Sequence, residues 1–431
     1  MAGNTKTKEK IINRELLFAI GDTINKTDFT RLITKTKENL FNTSLFNFIT
    51  IKFLNQDGVH TTIFVIVEER WYLWPYPILE HADRNLSAFL HEKDWSRINY
   101  GVMVTKFNFR GRKETVKIKA RFGYKEQFQI YYNNPYLTKN KKHGFSTELS
   151  WYRQQQVGYE VRNDELNYYQ DSTNYIQKYQ TFNLSYSYRN LYYNSHHFSI
   201  GMLNGRITDT IAKINPNYFG NGQSKLDYFS IGYEFNHDKR DYKYYPLKGH
   251  NIKVYINQKG LGILKNTLTS TWNFGLEMYK YFDFDNRWYS GIGGVLKLSS
   301  PNDHPFFLNY GLGYNDYLRA YEYNVIKGQN YFTTRSFIKF ALIPRKVIYI
   351  KAWGWEKFNK IHYSIMVNAF FDSGYINSRY QHESNKLPNQ YLYSGGVGID
   401  LATYYDIIFR LEYSVNKNKE SGVFLHLGKA F

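Results

Sequence analysis

From Trp71 to the end of the chain, apolar and polar residues alternate with a period of two. Across 113–124, Val116, Ile118, Ala120 and Phe122 share one side, while Lys117, Lys119 and Arg121 share the other. Phe145, Leu149 and Trp151 oppose Ser146, Glu148 and Ser150. Phe182, Leu184, Tyr186 and Tyr188 oppose Asn183, Ser185 and Ser187. The pattern returns with Phe229, Ile231, Tyr233 and Phe235 against Ser230, Gly232, Glu234 and Asn236, and with Ile407, Phe409, Leu411 and Tyr413 against Arg410, Glu412 and Ser414. Successive side chains of a strand point to opposite faces, so each run predicts a strand with one apolar and one polar side. About sixteen such runs lie between Trp71 and Phe431, an even number as in bacterial single-chain membrane barrels. A soluble sandwich would also alternate, but without broad aromatic belts outside a charged interior. The runs therefore predict an all-β transmembrane antiparallel barrel, with lipid against one set and lumen water against the other. Long connections fall near 154–174, 203–225, 299–331 and 374–390. Residues 344–360 lie on the short-loop side yet carry apolar residues from Val347 to Ile350 and the run Trp353, Gly354, Trp355. The twelfth and thirteenth strands are thus expected to extend beyond the membrane.

Residues 1–68 show a different rhythm. A helix is predicted over about Lys8–Phe18, with Ile12 and Leu16 one turn apart, ending before Gly21 and Asp22. A second is predicted from about Asp28 to Asn42, placing Phe29, Leu32, Ile33, Thr36 and Leu40 on one face. Two strand runs follow, Phe46–Leu54 and Val59–Glu68, separated by the turn signal Asn55, Gln56, Asp57, Gly58.

Composition sharpens the barrel reading. A mean hydropathy of −0.57 looks water-soluble, yet aromatics make up 19% of the chain, with 42 Tyr and 32 Phe. Alternation reconciles the two, because lumen residues offset lipid-facing ones in the average. No stretch approaches the ~20 apolar residues of a membrane helix. Cysteine is absent, which excludes a disulfide scaffold and thiolate metal sites. The formal charge of +19 comes from dispersed lysines and arginines, with no basic helix or ribonucleoprotein-type aromatic motif, so a nucleic-acid partner is not expected. No apolar signal core follows Met1, although the body of the chain requires export, so the sequence is expected to be truncated at its N-terminus.

The stretch from Tyr317 to Gly328 includes the tetrad Leu318, Arg319, Ala320, Tyr321 in a loop of roughly thirty residues, too long for a simple turn. About fifty residues later, Phe370, Asp372 and Gly374 form an F-x-D-x-G segment. Together they resemble the paired signatures of the BamA-like outer-membrane assembly superfamily, also called the bacterial surface antigen family. Ala320 stands where that family usually has glycine. The resemblance implies that the tetrad folds back into the barrel and that Arg319 meets Asp372 on the wall. A bidentate pair of that kind fixes orientation as well as adding attraction. Asp238, Arg240 and Asp241, followed by Pro246 and Gly249, are similar to the family's hairpin between the eighth and ninth strands. The terminal run places Val423, Leu425 and Leu427 on one face and ends in Phe431, resembling the C-terminal signal of outer-membrane barrels; Lys429 departs from it. Residues 1–70 resemble a partial POTRA domain, the periplasmic α+β module of the same family, with its first strand missing and the native protein expected to begin upstream. Residues 71–431 would be the barrel. With the N-terminal domain periplasmic, the long connections fall on the extracellular side.

Enzyme signatures are missing. There is no G-x-S-x-G elbow, no H-E-x-x-H around His91 or His382, and no phosphate loop ending in Lys-Ser/Thr. His196 and His197 would point to opposite faces of a strand. Gly291, Gly293 and Gly294 are expected to relieve crowding in the wall. No catalytic, cofactor or metal residues are expected. The resemblance implies an assembly or translocation factor of the bacterial outer membrane, with the first strand near 78–85 parting from the last. Its partners would be unfolded outer-membrane or secreted clients, outer-membrane lipids and periplasmic accessory proteins. The alternative is a passive pore or surface receptor. A POTRA-like domain and an Arg319 loop argue against that alternative, since ordinary porins have neither. With one partial module visible, insertion, secretion and lipid export remain open.

Overall fold

A computed structural model describes residues 1–55, 60–81, 98–171, 173–264, 270–309, 311–313, 316–350, 358–379 and 382–428. The N-terminal part comprises α1 (Glu9–Asn13), α2 (Lys26–Phe41) and an antiparallel hairpin of β1 (Phe46–Asn55) and β2 (Thr61–Glu69). Helix α1 is shorter than the periodicity suggests. Its continuation is diverted because the Glu15 carboxylate turns away to bind Arg189 (2.6 and 2.9 Å) and Tyr136 (2.7 Å) on the barrel. Helix α2 follows the expected face, burying Thr36 and Leu40 and half-burying Phe29, Leu32 and Ile33. The small core joins Ile11, Ile12, Leu40, Phe46, Val65 and Val67 to Tyr72 and Tyr136 of the barrel base. Ala2 forms an isolated parallel bridge beside β2. The turn expected at 55–58 lies, beyond Asn55, outside the described residues.

Sixteen antiparallel strands make one sheet in sequence order. They are β3 (Leu73–His81), β4 (Ile98–Phe109), β5 (Glu114–Gly123), β6 (Lys125–Asn134) and β7 (His143–Gln154), then β10 (Gln177–Asn190), β11 (Asn194–Ile207) and β12 (Lys225–Asp238). The remainder are β13 (Gly249–Lys259), β14 (Thr271–Asp283), β15 (Trp288–Ser300), β16 (Asn330–Tyr349), β17 (Lys360–Asn377), β18 (Tyr391–Ala402), β19 (Ile408–Asn416) and β20 (Ser421–Leu427). Between β7 and β10 a separate hairpin, β8 (Gln156–Arg162) with β9 (Glu165–Gln170), occupies a connection the sequence shows only as long. Helix α3 (Asp209–Ile214) occupies another.

The alternation has its expected consequence. Ile118, Leu149, Ile231, Leu411 and Tyr413 are exposed on the outside, as the lipid-facing set of a membrane barrel would be. No helix among the described residues is long and apolar enough to span a membrane. The long connections pack together, with Val157, Ile176, Ile211, Tyr218, Phe219 and Leu226 in one cluster against Phe306 and Phe307. Strands β16 and β17 are 20 and 18 residues long and stay paired to Tyr349↔Lys360, through irregularities at 341–346. Trp353, Gly354 and Trp355 lie outside the described residues. Strands β3 and β20 end the sheet, and no ladder joins them among the described residues.

Candidate functional site

Two connections enter the lumen from opposite ends and converge on the inner face of β16–β19. From the end of the barrel remote from the N-terminal domain comes the 301–329 loop. It is held by its own apolar core, in which Leu312, Leu318, Tyr321 and Ile326 pack with Val295, Ile376 and Leu392 of the wall. Gly374 shows why the wall motif ends in glycine. A Cβ there would lie 2.7 Å from the Phe332 carbonyl and 3.2 Å from Leu318 Cδ1, so its absence makes room for the loop.

At the loop's tip, Arg319 Nε donates to Asp372 Oδ2 at 2.7 Å and Nη2 to Asp372 Oδ1 at 2.5 Å. The strand parity read from β17 puts Asp372 inward with Met366, Asn368 and Phe370, all buried. The Arg319 and Asp372 side chains are 6% and 0% exposed, so water does not screen the pair. The Phe370 ring lies 3.6 Å below the guanidinium, the cation–π arrangement. Ala320 has φ +69°, the left-handed region that glycine enters freely and alanine does not. Asn416 Nδ2 donates to its carbonyl at 3.1 Å, and the Tyr321 hydroxyl donates to the Tyr393 carbonyl at 3.1 Å. Tyr323 lies beside Phe424 of β20 rather than against the Arg319 pair as its proximity in sequence suggests.

Arg319 also donates to Glu412 at 3.2 Å, and Glu412 lies 3.6 Å from Arg410. Arg410 reaches Asp400 at 2.9 Å, and Asp400 accepts from Lys339 at 2.9 Å. The six groups Asp372, Arg319, Glu412, Arg410, Asp400 and Lys339 thus alternate in sign, every one of them buried. The sequence motifs name only the first two. Charges on an inward strand face read the same whether solvated or paired, so Glu412 and Asp400 carried no signal of their own.

From the end nearest the N-terminal domain comes the 239–248 hairpin. Asp238 and Arg240 form a bidentate pair at 2.8 Å, and Asp241 Oδ1 accepts from the Leu247 and Lys248 amides at 3.1 and 3.2 Å. Gly249 has φ +104°, and a Cβ there would sit 2.2 Å from the Lys239 carbonyl. Pro246 lies within the turn that these bonds close. The hairpin carries Tyr245 upward, where its hydroxyl donates to Asp400 at 2.6 Å. Below, Asn42 after α2 donates to the carbonyls of Arg240 and Asp241 and accepts from the Lys243 amide. The hairpin motif therefore links the N-terminal helices to the ion chain. Val423, Leu425 and Leu427 face outward on β20, away from this centre. Phe431 and Lys429 lie outside the described residues.

The family model "Omp85 superfamily domain" matches residues 108–431, and the POTRA model "Surface antigen variable number repeat" matches residues 1–70. Among solved structures, CdiB from Escherichia coli is 12% identical with a TM-score of 0.58, over 100% of this chain and 75% of its own. BamA from Haemophilus ducreyi lacking POTRA domains 1–3 is 12% identical with a TM-score of 0.53, over 99% and 82%. CdiB from Acinetobacter baumannii, also 12% identical, has a TM-score of 0.53 over 98% and 72%. No curated protein sequence matches the chain.

Proposed function

The chain belongs to the Omp85 superfamily of bacterial outer-membrane barrels with periplasmic POTRA domains, and from that we propose a specific role for it. Members of the superfamily are assembly and transport factors rather than enzymes. In our reading residues 1–70 form the periplasmic domain and bind an unfolded client by edge addition. Strand β1 has one edge unpaired among the described residues, and main-chain bonds there would capture extended segments with little regard to sequence. Residues 71–431 form the barrel, which passes the client into the membrane or across it by parting between β3 and β20. Burial of the client's own apolar surface drives the step, so neither nucleotide nor covalent chemistry is required.

The observation that carries this reading is the inner face of β16–β19. A passive pore keeps an open, wetted lumen; here a loop from outside and a hairpin from the periplasm meet on six buried charges. Such an arrangement braces one side of the wall while the β3–β20 side has no ladder among the described residues. Depletion of the protein followed by an inventory of the outer membrane tests it. Loss of barrel proteins, secreted proteins or lipoproteins from their sites is expected. An unchanged inventory with reduced solute uptake would sink the proposal in favour of a pore.

A further inference from the structure

The geometry points to a binding site for the phosphate headgroup of an anionic phospholipid, in the cavity between α2 and the barrel end nearest it, a site that rests on the outer-membrane reading above. The cavity measures about 970 Å³, the upper end of the range for small-molecule sites. Arg31, Lys35 and Asn39 of α2 line one side, and the ends of β10 to β14 with their turns line the other. Nine lysines and arginines face it against four carboxylates. Three of those carboxylates are already committed: Glu15 to Arg189 at 2.6 Å, Glu38 to Lys35 at 2.6 Å and Asp238 to Arg240 at 2.8 Å. Lys113, Lys239, Lys248 and Lys280 make no ion pair among the described residues. Lys113 stands half-buried on the β4–β5 turn, its Nζ 5.7 Å from the Tyr136 ring centre. Burial pushes its pKa down to about 8, with Glu15 opposing the shift and Arg189 and Lys243 adding to it. Cations gathered in this way favour an incoming anion, and the several acceptor oxygens of a phosphate can meet more than one ammonium group at once.

The outer lip of the cavity selects a lipid over a soluble anion. Lys280 pairs with His250 across the β13–β14 ladder, and strand parity places Lys280 and Phe282 outside with Met278, which is 49% exposed. Tyr281, on the inner side, is buried. The cavity takes residues from both faces of β14, so it opens from the lumen base toward the surface that faces lipid. At that opening the rings of Phe282 and Phe284 stack 6.1 Å apart and are 38% and 58% exposed. Lys280 Nζ lies 5.8 Å from the Phe282 ring centre. Aromatic rings beside a long cationic side chain suit the boundary between acyl chains and headgroups. A free phosphate gains nothing from the two rings, whereas an acyl chain packs on them while its phosphate turns inward to Lys248 and Lys113.

The test uses the full chain, delipidated in neutral detergent and titrated with dioleoyl phosphatidylglycerol or dioleoyl phosphatidylcholine. Native mass spectrometry counts the bound lipid. Phosphatidylglycerol should bind about tenfold or more tighter than phosphatidylcholine. Lys113→Gln/Lys248→Gln/Lys280→Gln should remove that preference, whereas Lys178→Gln/Lys213→Gln/Lys225→Gln, at the remote end of the barrel, should keep it. Heat-modifiable gel migration checks the fold of both. Lys248 and Lys280 are exposed, so their double variant should fold even if loss of Lys113 is not tolerated, and it too should lose most of the preference. Hydrogen exchange over 239–250 and 280–287 should slow with phosphatidylglycerol and not with phosphatidylcholine. An undiminished preference in these variants, or protection only elsewhere, overturns the site. Inorganic phosphate or a hexaglutamate peptide binding as tightly as the lipid overturns the lipid as its occupant. Either failure leaves the assembly reading standing, since that reading falls only if depletion leaves the outer-membrane inventory intact.

Discussion

The two sides of the lumen use the same charged residue types to different ends. On β16–β19 the charges are sealed: Asp372, Asp400 and Glu412 are at most 1% exposed and each has a cationic partner. On β3 and β5, Arg121 and Lys119 reach Glu80 at 3.3 and 4.0 Å, but Glu80 is 47% exposed. The difference comes from what covers them. The 301–329 loop and the 239–248 hairpin exclude water from one wall, whereas the Glu80 pairs remain wetted. In the first place, a lost partner strands a charge in a dry site; in the second, water takes its place. Composition cannot separate the two sides. Coverage does.

The largest effect expected from breaking this contrast comes at Arg319 and Asp372. Asp372→Ala and Arg319→Ala should each destabilise the barrel by about 3–5 kcal/mol, and the double variant should be markedly less than additive. Denaturant unfolding in detergent measures the cycle; strict additivity would mean that the two groups do not act as a pair. Next is the Glu15–Arg189 contact at the periplasmic rim, where one partner is sealed and the other a quarter exposed. Burial pushes the Glu15 carboxyl up, but the attraction and hydrogen bonds of Arg189, with help from Lys113 and Tyr136, outweigh it and leave its pKa at about 2 against an ordinary 4.5. A lowered pKa stabilises the docked state fully above the unfolded value and is lost as pH falls toward 2, a contribution on the order of 2–3 kcal/mol. Hydrogen exchange of residues 9–16 between pH 5 and 2.5 should show that loss, and Glu15→Gln should abolish the pH dependence.

A smaller change sharpens the covered side. Ala320→Gly relieves a left-handed alanine and should stabilise the protein by about 0.5–1 kcal/mol, read as a raised unfolding midpoint. The least effect belongs to the wetted side. Glu80→Gln should change stability by ~0–1 kcal/mol, and that change should vanish in high salt. A salt-independent loss of several kcal/mol at Glu80 would erase the contrast between the two sides.

What the sequence makes legible follows from the range of each signal. Period-two alternation is local, so the strands, and even the overlong twelfth and thirteenth, can be read from it. The tetrad at 318–321 and the wall segment at 370–374 are also visible, because Arg319, Asp372 and Gly374 stand in fixed local contexts. Glu412, Arg410 and Asp400 join them only through the fold, since β18 and β19 must first lie beside β17. The shortened α1 has the same origin: Glu15 is captured by Arg189, a residue 174 positions away. The β8–β9 hairpin is not legible, because residues 154–174 read in sequence only as a long connection.

The overhang of β16 and β17 gives the barrel a mechanical connection to its periplasmic domain. Lys360, at the base of β17, binds Glu68 of β2 at 2.7 Å and lies 3.8 Å over the Phe48 ring, while Arg345 of β16 lies 4.7 Å from the Phe41 ring. Asp372 is twelve residues further along the same strand, a span of about 40 Å at ~3.3 Å per residue. A paired strand hardly stretches, so β17 joins the contacts with the N-terminal domain to the Arg319–Asp372 pair within one continuous stiff element.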